Sequence, residues 1–313
     1  LSFDMQSKMR NTLTLILKDY SVSKKSDELA NITDDLKSKA LQMFFVSKKV
    51  EGCTDNTLKY YSTILKGFFD IIEIQLDKIT ANDIRFYLAK RSIDNKITKT
   101  SQDNELRVLK SFFKFCVSED YIVKNPTLSI KPIKKEKRIK KAFSEVEMEK
   151  IRESCDNLRD KAIVEVLYST GVRVSELSKM DKNDLKEDEI IVFGKGEKER
   201  TVFLNAKSQL ILRRYLESRT DNNSAMFVSL KKPFRRLSKC GIEVRLRNIG
   251  EKAQVTKCYP HRFRRTTATY ALNRGMPIEQ VSQMLGHEDI ETTTIYARSN
   301  VENVKNSHKK YIT

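Results

Sequence analysis

Between Leu36 and Ile122, hydrophobic positions recur at steps of three and four in four successive stretches. In DLKSKALQMFFVSKKV this period puts Leu36, Ala40, Met43 and Phe44 on one helical face. TDNTLKYYSTILKGFFDII begins with Thr54 as a helix cap and carries Leu58, Tyr61, Leu65 and Phe68 on one side. TANDIRFYLAKR opens on Thr80 with Asp83 three residues later, an acidic variant of the capping box. SQDNELRVLKSFFKFCVSEDYI supplies the fourth stripe, Leu106, Leu109, Phe113 and Cys116. Four helices with polar backs predict a small all-α domain over residues 36–123. Residues 1–35 hold a short apolar stretch, Leu13 to Leu17, then polar positions, and no role is assigned to them.

The pattern then stops. Residues 124–142 contain Pro126 and Pro132, no helical period, and seven basic residues among the eleven from Lys131 to Lys141. A solvated linker and an extended strap along a phosphate backbone both fit such a segment. A second domain is expected over residues 143–300, starting at Ser144 and Glu147, which have capping-box spacing. Helical patterns run on through Met180, and DEIIVFGKGEKERTVFL then alternates around Gly194 and Gly196, which reads as a β-hairpin. PIEQVSQML and IETTTIYARS return to helix. In the tail, residues 301–313, Val301, Val304, His308 and Tyr311 make a stripe so narrow that a helix there must dock to be ordered, and a neighbouring protomer is the expected dock. The expected fold is mainly α, with one small sheet.

Charge narrows the partner. Lys and Arg number 60 against 42 acids, a formal charge of +18 over 313 residues. Such an excess points to a polyanion, because each neutralised phosphate releases condensed counterions. No apolar run approaches a spanning helix, and Leu13 to Leu17 is too short for a signal peptide, so nucleic acid is favoured over membrane. The cysteines at 53, 116, 155, 240 and 258 have neither metal-ligand nor redox spacing, which fits buried thiols in a reduced, cytoplasmic protein.

Phosphodiester chemistry without a metal needs a nucleophile, cations for the charge on the phosphorus oxygens, and an acid for the leaving oxygen. Four stretches supply these types. In STGVRVSEL, Gly171 ends one helix and Arg173 opens the next, with Glu176 placed to hold that Arg. In GKGEKER, Lys195 tops a hairpin. It is either solvent-exposed and idle or pressed into a groove beside a leaving oxygen, and the spacing does not choose. In YPHRFRRTTATYALNRG, Pro260 sets a helix start that puts His261 and Arg264 on one face, while Arg264 and Arg265 would equally suit a plain DNA-backbone helix. LGHEDIETTTIYARS adds His287 and, nine residues on, Tyr296.

In that order, TGVRVSEL, GKGEKER, HRFR, LGH and TTTIYAR resemble the tyrosine recombinase (integrase) family, most closely its bacterial Xer-like members. The resemblance spans about Phe143 to Ser299, and the helices over 36–123 agree with the family's SAM-like core-binding domain. It implies that Tyr296 attacks the scissile phosphate to give a 3′-phosphotyrosyl link, and that Arg173 and Arg264 clamp the non-bridging oxygens. It further implies that His261 and His287 complete the pocket, Lys195 protonates the 5′ oxygen, and Glu176 orients Arg173. Lys134, Lys135, Lys137, Arg138 and Arg265 are the expected further DNA contacts, Arg265 standing where relatives often carry His.

The implied enzyme is a DNA strand-transferring recombinase that needs no metal, ATP or other cofactor. It would act as a homotetramer on double-stranded DNA with inverted core sites, through a Holliday junction, in the nucleoid-bearing cytoplasm. The absence of a β-rich arm-binding segment suggests short core sites. Two alternatives share the chemistry or the partner: a type IB topoisomerase, and a DNA-binding protein that has lost catalysis.

Overall fold

The computed structural model describes residues 32–94, 97–134, 141–194, 199–287, 289–297 and 312. The chain divides into two compact units at Lys137 and Arg138.

Among the described residues the first unit holds four α-helices: α1 (Ile32–Val50), α2 (Asp55–Phe69), α3 (Ala81–Asp94) and α4 (Lys99–Ser118). Local chemistry starts α2 and α3 where expected, while α1 begins four residues before Leu36 and α4 takes a cap, Thr98, that was not foreseen. Thr54 accepts from the Thr57 N–H at the head of α2, and Thr98 does the same for Ser101 at the head of α4. At α3 the Asp83 carboxylate takes both the N–H and the hydroxyl of Thr80, so the acid does the capping and the threonine side chain only donates. Phe44, Phe68, Phe112 and Phe113 are fully buried and meet edge to face, with Tyr87 against Phe68. Met43 departs from the expected stripe: it is 44% exposed, and the buried face of α1 is Ala40, Leu41, Phe44 and Phe45.

The expected linker is shorter than its composition implies. Asn125 closes a turn over Thr127, Ile130 is buried with its carbonyl bound by Lys110, and the Ile133 N–H donates to the buried Asp103. These residues belong to the first unit. At the other end, Phe143 is buried and its N–H donates to Thr266, so it belongs to the second. Lys134 is exposed, whereas Lys135, Lys137 and Arg138 lie outside the described residues.

The second unit opens with α5 (Glu145–Glu153), capped reciprocally by Ser144 and Glu147 as the sequence predicts. It continues with α6 (Leu158–Thr170), the single turn α7 (Val174–Leu177), and strands β1 (Leu185–Lys186), β2 (Glu189–Phe193) and β3 (Glu199–Phe203). The strands form an antiparallel sheet in the order β1-β2-β3, with Ile190 opposite Val202 in the buried register. The hairpin is as expected; two-residue β1 is an addition too short to show a period. Then follow α8 (Ala206–Glu217), α9 (Lys239–Lys252), α10 (Pro260–Asn273), α11 (Ile278–Leu285) and α12 (Glu291–Ala297). Helix α10 packs against α6, α11 and α12, which makes it the central element around which the candidate site is arranged. Among the described residues no helix is long and apolar enough to cross a membrane. The tail stripe, Val301 to Tyr311, and residues 1–31 lie outside the described residues.

Candidate active site

Helix α6 ends at Gly171, which takes a left-handed conformation at φ 62° and bonds back to the Leu167 carbonyl. The turn brings Arg173 to the head of α7, where the Glu176 carboxylate accepts the Arg173 N–H at 2.8 Å and its Nη1 at 2.9 Å. Glu176 thus holds Arg173, as the spacing implied. The same bond occupies the Arg173 N–H, which an anion at this helix start would otherwise have used.

Helix α10 starts at Pro260, whose missing N–H costs nothing at that position. His261 is exposed there and Arg264 is 2% exposed; with Arg173 they line one cleft of about 940 Å³. Lys239, Arg247 and Lys257 add positive charge to its walls, tempered by Glu243 and Glu251. A plain DNA-backbone helix does not fit α10, because Arg262, Arg264 and Arg265 are all buried. Arg262 is a structural residue: it binds the Glu147 carboxylate and the Thr256 carbonyl and stacks on Phe143. Arg265, at 6% exposure, offers almost none of its guanidinium to a DNA backbone, which corrects the expected contact; α10 is packed on too many sides to leave it outward.

Helix α11 also ends on a left-handed glycine, Gly286 at φ 65°. Its last carbonyls are capped by three arginines from three elements. Arg200 Nε, on β3, donates to Met284 O at 3.2 Å, Arg264 Nη2 to Leu285 O at 2.6 Å, and Arg173 Nη2 to Gly286 O at 3.1 Å. A helix C-terminus carries orphan acceptors and partial negative charge, so cations belong there. Arg264 Nη1 also reaches Gly171 O at 2.8 Å, tying the two glycine turns together. A β-carbon on Gly171 would stand 2.7 Å from Leu285 Cδ2, so a side chain here would have to push Leu285 aside in addition to straining the left-handed turn.

His287 follows directly on the arginine-capped turn. Burial, then the positive charges of Arg264, Arg173, His261 and Arg200, push its pKa down to about 4. Its Nδ1 lies 2.7 Å from Oγ1 of Thr293, a buried residue on α12. Tyr296 is on the same helix, and its side chain lies outside the described set, as do Lys195 and Lys198 at the hairpin tip. Burial works to raise the Glu176 carboxyl, yet its bonds from Arg200 and Arg173 outweigh that and hold it below the ordinary carboxylate range.

The structure therefore brings Arg173, Glu176, Arg264 and His287 together and places His261 on the same cleft. Sequence reasoning passed over two residues. Arg200 binds both Glu176 oxygens, and its signal was parity: on β3 it falls on the same side as buried Val202, an unusual place for a charge. Thr293 was hidden in a run of three threonines of which only it is buried.

The phage integrase family matches residues 119–303, and the integrase N-terminal SAM-like domain matches residues 40–122. A curated relative, tyrosine recombinase XerC of Leptospira interrogans, is 33% identical over 295 residues, covering 89% of this chain and 94% of the relative. XerC of Staphylococcus aureus (strain bovine RF122 / ET3-1) is 32% identical over 271 residues, covering 82% and 90%. Among solved structures, XerA recombinase is 28% identical, with TM-score 0.50 over 88% of this chain and 98% of that one. A lambda integrase dimer bound to a COC′ core site shares the fold at TM-score 0.71 and 16% identity, over 85% of this chain and 96% of that one. XerH bound to a palindromic difH substrate does so at 0.68 and 18%, over 97% and 94%.

Proposed function

This chain belongs to the phage integrase family of tyrosine recombinases, and from that premise we propose that its site-specific DNA recombination runs through a phosphotyrosyl link on Tyr296. The tyrosine oxygen attacks the scissile phosphorus as its hydroxyl proton passes to solvent, the bond to the 5′ oxygen breaks, and that oxygen leaves with a proton given by Lys195. Arg173 and Arg264 take the non-bridging oxygens, where a planar, permanently charged fork suits a phosphate. His261 and His287 add hydrogen bonds to the same group. The tyrosyl ester keeps the energy of the bond it replaced, so a 5′ hydroxyl of a second duplex can attack it and rejoin the strands without ATP.

The observation that carries this reading is the convergence of Arg173, Arg264 and His287 on one helix end, with Thr293 linking His287 to the helix that bears Tyr296. The bundle over 36–123 acts as a second grip on the duplex, and residues 301–313 dock on a neighbouring protomer of a tetramer. Support for DNA with inverted core sites comes from the core-site and palindromic complexes of the fold relatives. The protein works on nucleoid DNA in the cytoplasm.

Tyr296→Phe removes only the nucleophilic oxygen. Incubated with a nicked suicide substrate, the wild-type protein is expected to give a covalent adduct on a denaturing gel and the variant none, with DNA binding retained. An adduct from Tyr296→Phe would discard the assignment. Strand exchange between two labelled duplexes then separates recombination from mere relaxation.

A further inference from the structure

Arg200 spends its guanidinium inward. Nη1 and Nη2 bind the two Glu176 oxygens at 2.9 and 2.8 Å, Nε binds Met284 O, and the side chain is 13% exposed. Each carboxylate oxygen it holds is one that Arg173 also uses, Oε1 through Nη1 and Oε2 through the backbone N–H. The contact with the α11 end is close as well as hydrogen-bonded. A β-carbon on Gly286 would lie 3.0 Å from Arg200 Cδ, 3.1 Å from Nε and 3.2 Å from Nη1. Glycine is needed there twice, for its φ and for the flat seat it gives the guanidinium.

We propose that Arg200 is a positioning residue for DNA cleavage: it locks Glu176 to the Met284–His287 turn, so that Arg173 and His287 keep one register, and it does not itself touch DNA. The inference rests on the phosphate-binding roles given above to Arg173 and His287.

The physical case is a competition for one carboxylate. Glu176 is buried and carries one negative charge between two cations. With Arg200 present, each oxygen is shared, and Arg173 keeps its Nη2 on Gly286 O with over a third of its side chain exposed toward the cleft. Without Arg200, Arg173 is the remaining partner of a buried charge, and it is drawn toward Glu176 and away from a phosphate. The Met284 carbonyl also loses its cap, so the turn that precedes His287 loosens. Lysine cannot repair this, because one ammonium does not span both oxygens and a third acceptor in the fixed geometry of the fork.

The test is single-turnover cleavage of a nicked half-site by the full-length protein, with half-site affinity measured in parallel. Arg200→Met and Arg200→Lys are each expected to slow adduct formation on the order of 10²-fold, as ångström-scale misplacement does, at near wild-type affinity. Introduced into Glu176→Gln, Arg200→Met should cost far less than it does alone, because both changes cut the same link. Wild-type cleavage in Arg200→Met, a loss of affinity matching the loss of rate, or fully multiplicative costs with Glu176→Gln would each overturn the proposal. Should Arg200→Met unfold, Gly286→Ala presses on the same guanidinium from the other side, and an unchanged rate there would overturn it equally. Failure of the wild-type protein to form any adduct would instead strike the nucleophile assignment.

Discussion

His287 Nδ1 stands 2.7 Å from Thr293 Oγ1, and this bond joins the histidine proposed for the phosphate pocket to the helix that carries Tyr296. Because burial and the surrounding cations hold His287 near a pKa of about 4, the ring is neutral at working pH and has a single ring proton. When the Thr293 hydroxyl is the donor to Nδ1, that proton sits on Nε2, the nitrogen proposed to donate to a phosphate oxygen. In that arrangement docking of α12 sets the tautomer as well as the position of the helix that bears Tyr296.

Thr293→Val keeps the shape of a buried side chain and deletes the hydroxyl. Adduct formation should slow about tenfold, the worth of one such hydrogen bond, while half-site affinity stays put. Quench-flow cleavage at saturating DNA measures this; an unaltered rate would mean that the tautomer is fixed elsewhere.

The same histidine sets a pH window for stability. Its folded pKa of about 4 lies below the ordinary 6.5, so the unfolded state binds the proton more readily. The stability at stake is whole above about 6.5 and is lost as pH falls from there toward about 4. Glu176, Glu147 and Asp160 are all held below their ordinary range and act mainly lower down. Urea unfolding between pH 6.5 and 4.5 should therefore weaken the wild-type protein more than His287→Gln. Parallel declines for the two proteins would contradict the neutral, buried imidazole.

Local signals explain what was legible. The caps at Thr54 and Ser144, the hairpin, and each site motif taken alone depend on residues within a few positions of one another. Met43, Arg265 and Arg200 depend on what packs from afar. A helical period cannot tell whether Met43 or Leu41 edges the buried face, since both border the same stripe. Nor does HRFRR reveal that α10 is covered on several sides, which turns its arginines inward. Nothing in GKGEKER singles out Arg200, whose inward side is fixed only by the pairing of β3 and the burial of Val202.

Gly171→Ala tests the joint between the two glycine turns. The left-handed conformation costs a β-carbon roughly 1–2 kcal/mol, and contact with Leu285 at 2.7 Å adds strain. A total of about 2–3 kcal/mol corresponds to a Tm lower by very roughly 5–10 °C for a unit this large. Cleavage should fall too, because Arg264 binds the Gly171 carbonyl and would shift with it. A Tm within a degree of wild type would show that the turn relaxes freely.

The basic segment is proposed to contact DNA, and this can be tested directly. Its flanks are already committed, residues 125–133 to the first unit and Phe143 to the second, so only the stretch around Lys134, Lys135, Lys137 and Arg138 is left to act as a strap. If each of the four meets a phosphate, replacing them with Ala removes about 0.9 per contact from the slope of log affinity against log salt, some 3–4 in all. Phosphate contacts carry no sequence information, so the ranking of core-site variants should not change. A loss of discrimination along with the slope would instead mean that these side chains enter a groove. A slope that does not move at all would make the segment a solvated linker, its charge serving only long-range attraction, and would leave the DNA grip to the two units alone. Gel-shift titrations from about 50 to 200 mM salt, over which several phosphate contacts change affinity by orders of magnitude, resolve the three outcomes.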